Sequence, residues 1–211
     1  MICAILPSAG LSRRMGAHKQ LLPLAGTTVI GHIVDQLLRS KLDEVYVVVG
    51  HEAERIRQAL RGRPVCIVAN PDYAKSDMLA SIRCGLRVLP QACRAILVAL
   101  GDQPAVTSEL IDAMIESFAT CGKGIVVPVY KGKRGHPLLV DVRYRDEILT
   151  GYDQVGLRGL LRAHMEDIFP LAVPDARPLA DMDCPQDYRQ GLARLAEQAP
   201  HRDVLPGGRA G

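Results

Sequence analysis

Apolar residues along the chain follow two spacings, one typical of buried strands and the other typical of amphipathic helices. Short apolar or β-branched runs predict strands, which are Ile2–Leu6, Glu44–Val49, Val65–Ala69, Ala95–Leu100, Gly124–Val129, Pro137–Val140 and Phe169–Val173. Apolar residues three and four positions apart predict helices, which are Val29–Leu38 with Thr28 as its cap, Glu52–Arg61, Asp77–Leu89, Ser108–Cys121, Gly156–His164 and Pro185–Glu197.

Strands that alternate with helices in this way predict a doubly wound, three-layer α/β fold with a mostly parallel sheet. In such a sheet, ligands bind outside the carboxyl ends of the strands. Three polar stretches follow predicted strands, at residues 10–19, 70–81 and 101–104. We therefore expect these stretches to form one shared pocket.

The composition agrees with a single domain of this kind. Hydrophobic residues make up 48% of 211 residues, with 2 Phe and no Trp, so the core must be built from aliphatic side chains. Such side chains are typical of a parallel sheet covered on both faces. We expect one domain over residues 1–198 and a disordered tail over residues 199–211, which are rich in Pro, Gly and Arg.

Charge and cysteine usage exclude several classes of protein. The net charge of +3, from 26 basic and 23 acidic residues, is too balanced for bulk attraction to nucleic acid. The first residues do not have the pattern of a signal peptide, and no apolar stretch approaches membrane-spanning length, so we expect no membrane partner. The 6 cysteines include no C-x-x-C pair. Buried, reduced thiols are the expectation, and they fit a cytoplasmic protein.

The first candidate for chemistry is the loop of small residues and cations from Pro7 to Lys19, directly after the first strand. Small residues let backbone N–H groups approach phosphates, and Arg and Lys add fixed positive charge. The loop has neither the Gly-Lys-Ser/Thr ending of a Walker A motif nor the glycine spacing of a dinucleotide-binding loop. A plain glycine turn with surface arginines is the alternative.

Two later stretches carry carboxylates suited to Mg²⁺. Asp102 follows an apolar strand, within Gly101-Asp102-Gln103-Pro104, and an ordinary turn is the alternative there. Asp183 lies within Ala180-Asp181-Met182-Asp183-Cys184-Pro185, where it could instead be only a helix N-cap.

A basic loop bounded by glycines, Lys131-Gly132-Lys133-Arg134-Gly135-His136-Pro137, could receive an anionic acceptor. A solvated charged face is the alternative for its cations. A lone His such as His136 is more often structural than catalytic.

Five stretches, taken in their order along the chain, resemble sequences of the nucleotidyltransferases that complete molybdenum cofactors. They are Ala9-Gly10-x-Ser12-x-Arg14-Met15-Gly16-x-x-Lys19-x-Leu21-Leu22, Asn70-Pro71-Asp72-Tyr73-Ala74, Gly101-Asp102-Gln103-Pro104, Gly135-His136-Pro137 and Asp181-Met182-Asp183-x-Pro185-x-Asp187. The resemblance covers roughly residues 2 to 190. It implies a Rossmann-like nucleotidyltransferase fold. The cytidylyl-transferring branch is nearer than the guanylyl-transferring one, which usually has Gly-Gly in place of Ala9-Gly10.

This resemblance implies a transferase that moves CMP from CTP to molybdopterin carrying molybdenum and releases pyrophosphate. The implied catalytic residues are Lys19, Arg14 and Asp102, and Mg²⁺ would be held by Asp102 and Asp183. The implied nucleotide contacts are Ala9, Gly10, Leu11, Ser12, Lys19, Ala69, Asn70, Ser81 and Gly101. The implied acceptor contacts are Arg134 and His136.

Two other functions stay open at this point. One is a different NTP-dependent transferase, either guanylyl transfer to the same cofactor or transfer to another phosphorylated small molecule. The other is a binding protein that matures molybdenum hydroxylases by delivering the finished cofactor. A molybdenum hydroxylase apoenzyme would then be a protein partner, and a cytidylyltransferase could have that partner as well.

Overall fold

A computed structural model describes residues 1–10, 19–75, 77–176, 180–182 and 186–189. Its strands are β1 (Ile2–Ser8), β2 (Pro23–Leu24), β3 (Thr27–Thr28), β4 (Glu44–Val49), β5 (Cys66–Ala69), β6 (Ala95–Val98), β7 (Ile125–Tyr130), β8 (Lys133–Arg134), β9 (Leu138–Asp141) and β10 (Ile168–Ala172). Its helices are α1 (Val29–Arg39), α2 (Ala53–Ala59), α3 (Met78–Val88), α4 (Ser108–Thr120), α5 (Arg145–Thr150) and α6 (Leu157–Ala163). Short 3₁₀ turns lie at Lys19–Leu21, Val142–Tyr144 and Met165–Asp167.

Three of the longer helices begin at a polar cap residue. The Thr28 hydroxyl accepts a hydrogen bond from the Gly31 N–H at 3.1 Å, as the sequence predicts. The carboxylate of Asp77 does the same for α3, and the hydroxyl of Thr107 for α4. Each cap satisfies one of the backbone donors that a first helical turn leaves without a partner.

The central sheet has the strand order β10-β7-β9-β6-β1-β4-β5. The short strand β8 lies outside this order and pairs with β7. Strands β6, β1, β4 and β5 run parallel, as do β7 and β10. Strand β9 is antiparallel to both β6 and β7, and it joins these two parallel groups. The predicted α/β fold with a mostly parallel sheet is therefore confirmed.

Alternate residues of the central strands enter two separate hydrophobic cores. Ala4 and Leu6 of β1 pack with α1 and α4 on one face of the sheet. Cys3 and Ile5 pack with α3, α5 and α6 on the other face. Because side chains alternate along a strand, β1 is buried on both sides and anchors all three layers.

The structure departs from the sequence predictions in several places. Helix α5 was not predicted, since only Ile148 of its six residues is buried and no apolar face repeats. The predicted strand over residues 95–100 ends at Val98, and Glu52 precedes α2 with a left-handed backbone. Of the predicted helix Pro185–Glu197, residues 186–189 are described and helical. Residues 199–211 lie outside the described part of the chain.

The described cysteines Cys3, Cys66, Cys84, Cys93 and Cys121 are free thiols. Cys3 and Cys93 are buried as expected, whereas Cys66 is exposed, so the expectation of burial is wrong there. Within the described ranges, no helix is both long enough and apolar enough to cross a membrane.

Replacing Gly85 by alanine should destabilise the fold, although alanine is the better helix former. A Cβ at Gly85 would lie 2.8 Å from Cγ2 of Ile5, which is fully buried. Overpacking costs about 1–3 kcal/mol, against a gain of about 1 kcal/mol in helix propensity. We expect a net loss of about 1 kcal/mol, which lowers Tm by roughly 2–4 °C in calorimetry.

The control for this prediction is the Ile5→Val background. Valine lacks the Cδ1 atom of Ile5, which would lie 3.0 Å from the same Cβ. Because this removes part of the overlap, the double variant should lose less stability than the sum of the single losses. A Gly85→Ala protein with an unchanged or higher Tm would contradict the expectation.

Candidate active site at the carboxyl edge of the sheet

Most of the sequence-predicted residues lie at one edge of the sheet. The parallel strands β1, β4, β5 and β6 all end there, and they are followed by Ala9, Gly50, Asn70 and the turn at residues 101–104. Strand β9 runs the other way, so its first residue, Leu138, pairs with the last residue of β6, Val98. This pairing brings the Gly-His-Pro segment to the same edge.

The closest polar contact at this edge joins Lys19 and Asp102. Lys19 Nζ lies 2.6 Å from Asp102 Oδ2, and the two side chains are 17% and 21% exposed. These residues are 83 positions apart in sequence. The structure therefore brings two of the predicted catalytic residues into direct contact, in a position that solvent reaches only partly.

Gly101 leaves room for the Gln20 side chain beside this ion pair. A Cβ there would lie 2.4 Å from the side-chain nitrogen of Gln20, which is buried. Since Gln20 follows Lys19 directly, the absence of a side chain at Gly101 lets the Lys19 segment lie against the turn at residues 101–104.

A segment close to the chain's end also returns to this turn. The Met182 N–H donates to the backbone carbonyl of Asp102 at 2.8 Å. The side-chain nitrogen of Gln103 donates to Asp181 Oδ1, also at 2.8 Å. The Met182 side chain is 3% exposed and belongs to one of the two hydrophobic cores. Residues 181 and 182 are thus held beside Asp102 by two hydrogen bonds and one buried side chain.

The predicted base and ribose contacts lie at the end of β5. Asn70 donates from its side-chain nitrogen to the Ser81 hydroxyl at 3.0 Å, and its oxygen accepts from the Asp72 N–H at 3.1 Å. Asn70 and Ser81 are buried, whereas Ala69 is exposed. Asn70 and Ser81 therefore link the loop after β5 to α3, and Ala69 is the solvent-facing member of the three.

Sequence reasoning did not single out Gly50, which packs closely against Ala9 and Tyr73. A Cβ at Gly50 would lie 2.5 Å from the Cβ of Tyr73 and 2.8 Å from that of Ala9. The next residue, His51, donates its N–H to the Ala9 carbonyl at 3.2 Å. The signal available in the sequence was a glycine directly after a buried strand, which permits such a close approach.

The two predicted acceptor contacts differ in their surroundings. Arg134 is exposed on the short strand β8. Burial lowers the pKa of His136, while the negative charges of Asp181 and Asp102 act in the opposite direction. Its Nε2 atom is buried and has no hydrogen-bond partner among the described residues. His136 thus offers a neutral imidazole at neutral pH, close to the carboxylates of the site.

Comparison with known proteins identifies the family of the chain. The family model described as "MobA-like NTP transferase domain" matches residues 4–168. The chain belongs to this family. It is similar to the molybdenum cofactor cytidylyltransferase of Escherichia coli K12, with 26% identity over 198 residues, covering 93% of this chain and 98% of that protein.

Two solved structures of relatives extend over almost the whole chain. A nucleotidyl transferase from Methanothermobacter (Mth528) has 27% identity and a TM-score of 0.81, covering 94% of this chain and 99% of that one. Rv0371c of Mycobacterium tuberculosis H37Rv, in complex with manganese, has 26% identity and a TM-score of 0.76, covering 91% and 97%. The predicted family and Rossmann-like nucleotidyltransferase fold are therefore confirmed.

The oxygen atoms of this candidate site suit a hard divalent cation. They include the carboxylate of Asp102 and two buried side-chain oxygens without hydrogen-bond partners in the described part, Gln20 Oε1 and Gln103 Oε1. The described residues contain no group of three His, Cys, Asp or Glu side chains arranged for a metal. Four predicted site residues lie outside the described residues, namely Leu11, Ser12, Arg14 and Asp183.

Proposed function

We propose that this chain transfers CMP from CTP to molybdopterin carrying molybdenum and releases pyrophosphate. The observation that carries the proposal is the contact between Lys19 and Asp102, beside a glycine turn at the carboxyl edge of the sheet. Support for the acceptor comes from the similarity to the Escherichia coli cytidylyltransferase, which extends along almost the full length of both chains.

A divalent cation, Mg²⁺ in this proposal, would be held by Asp102 and Asp183. When bound, it would neutralise the charge that develops on the phosphate oxygens. The oxygen donors around Asp102 support such a cation, as does the manganese complex of the Mycobacterium tuberculosis relative.

The residues of the chain have separate roles in this proposal. Lys19 and Arg14 offset the charge of the triphosphate, and the backbone N–H groups of the loop at residues 9–12 bind its oxygens. Ala69, Asn70 and Ser81 line the base and ribose. Gly101 leaves room for the buried Gln20 side chain, next to Lys19.

Arg134 and the neutral ring of His136 orient the acceptor in this scheme. The terminal phosphate of the acceptor attacks the α-phosphorus of CTP, a new P–O bond forms, and the bond to pyrophosphate breaks. Because the attacking phosphate is already ionised, the protein needs neither a nucleophile nor a strong base. Catalysis then comes from positioning and electrostatic stabilisation.

Thermal unfolding with Mg²⁺ and each of CTP, GTP, ATP and UTP tests the nucleotide. A ligand at 100 times its Kd adds about 2.7 kcal/mol, which for a chain of this length raises Tm by roughly 5–10 °C. We expect such a shift with CTP alone. A shift with GTP alone would replace cytidylyl by guanylyl transfer, and no shift with any nucleotide would favour a cofactor carrier that serves molybdenum hydroxylases.

The acceptor requires a second measurement. Pyrophosphate release from CTP should depend on added molybdopterin carrying molybdenum. Sugar and polyol phosphates are the controls, and release with one of these instead would identify a different cytidylyltransferase.

A further inference from the structure

The side chain of Gln103 has a function that its burial alone does not explain. It is 3% exposed, and its oxygen has no hydrogen-bond partner in the described part of the chain. Leaving a buried acceptor without a partner costs about 1–3 kcal/mol, so an apolar side chain would be more stable at this position if packing were its only role. Among the described residues, the contact that justifies an amide is the hydrogen bond from its nitrogen to Asp181.

That hydrogen bond is one of two parallel links between the same two segments. Gln103 holds Asp181 through side chains, and the Met182 N–H holds the carbonyl of Asp102 through the backbone. The buried Met182 side chain fixes the same segment in the core. Residues 181 and 182 are therefore aligned with residues 102 and 103, and in sequence Met182 directly precedes Asp183.

We propose that Gln103 is a positioning residue for the cation site: its hydrogen bond to Asp181 holds residues 181 and 182, which precede Asp183 in the sequence, beside Asp102. The inference rests on the proposed function, because the cation and the role of Asp183 belong to it. Gln103 itself need not touch the cation or the nucleotide.

The contact also predicts what Asp181 contributes. If Asp181 serves as the acceptor for Gln103, the presence of its oxygen matters more than its charge. An asparagine at position 181 keeps an oxygen that can accept the hydrogen bond, whereas an alanine does not. A cation ligand would behave differently, because loss of its charge would weaken cation binding strongly.

Mn²⁺ binding to the full chain, measured by electron paramagnetic resonance in the presence of CTP, tests this inference. We expect Gln103→Met, which keeps size but removes the donor, to weaken Mn²⁺ binding by on the order of tenfold, the scale of one hydrogen bond to a charged group. Asp181→Ala should weaken binding to the same degree, and Asp181→Asn should stay within about fivefold of wild type.

The double variant Gln103→Met/Asp181→Ala should bind Mn²⁺ no more weakly than either single variant, because both changes remove the same contact. Additive losses would contradict the pairing. Wild-type binding by Gln103→Met would overturn the role of Gln103, and a loss of a hundredfold or more in Asp181→Asn would make Asp181 a cation ligand instead.

Hydrogen exchange separates failure of this inference from failure of the proposed function. The Met182 amide, which donates to Asp102, should exchange about tenfold faster in Gln103→Met without any nucleotide or metal. The Leu139 amide in β9 should be unchanged. If wild type binds no nucleotide but Met182 responds in this way, the contact is correct and the cytidylyltransferase proposal is not. An unchanged Met182 amide overturns the contact itself.

Discussion

Replacing Asp102 by alanine is expected to lower kcat for pyrophosphate release from CTP by about 10²–10³-fold, the usual cost of removing one electrostatic stabiliser. The change removes a carboxylate from the turn that follows β6 and breaks the 2.6 Å contact with the Lys19 ammonium. The fold should persist, because the backbone at this position is held by the Met182 N–H and not by the side chain. Steady-state kinetics would measure kcat, and circular dichroism would show whether the variant is folded.

Two further variants separate charge from shape in this experiment. Asp102→Asn keeps an oxygen that can accept from Lys19 but loses the negative charge, so it should be nearly as inactive as the alanine variant. Glu116→Gln is the matched control, since Glu116 forms an ion pair of the same 2.6 Å length with Lys41, at an exposed site. It should stay within about twofold of wild type. A folded Asp102→Ala protein with a near-normal kcat would reject the site.

The strand positions could be predicted because most strands are short apolar runs, and because β6 and β1 are buried on both faces. The direction of β9 was not predicted, although the sequence contains a sign of it. Lys131 and Gly132, both with positive φ, form a tight turn between β7 and β8. Only residues 131–137 separate β7 from β9, whereas a parallel crossover needs a dozen or more.

In the candidate site, the sequence predicted which residues lie near one another but not which of them are in contact. The order of strands predicted that Lys19 and Asp102 would share a pocket, because both follow strands that end at one edge. Their direct contact was not predictable, since it depends on how closely the Gln20 segment approaches Gly101. That approach is set by three-dimensional packing between segments far apart in sequence.

The return of the chain to Asp102 could be predicted only by resemblance. Nothing in the local pattern of Asp181 and Met182 indicates that one residue bonds to Gln103 and the other to the Asp102 carbonyl. A buried methionine between two acidic residues was the available signal. Its burial fixes the register of the segment, because Met182 enters the core while Asp181 stays exposed.

Replacing Lys19 by methionine is the second change with a large expected effect, again about 10²–10³-fold in kcat. Methionine keeps a flexible stem of similar length in the partly buried position but removes the ammonium group. Because Lys19 belongs to neither of the two hydrophobic cores that hold the sheet and helices together, the variant should remain folded. The loss should therefore appear in turnover and in CTP binding, with little change in Tm.

Lys41→Met is the control for this variant, because it breaks an ion pair of equal length before β4, at the opposite edge of the sheet. It should leave kcat within about twofold of wild type. The double variant Lys19→Met/Asp102→Asn provides the sharper comparison. If both side chains stabilise charge in one transition state, their losses will not add, since residues that act as a unit show strong non-additivity. Fully additive losses would instead mean that Lys19 and Asp102 act on separate steps, and that their contact in the free protein is only structural.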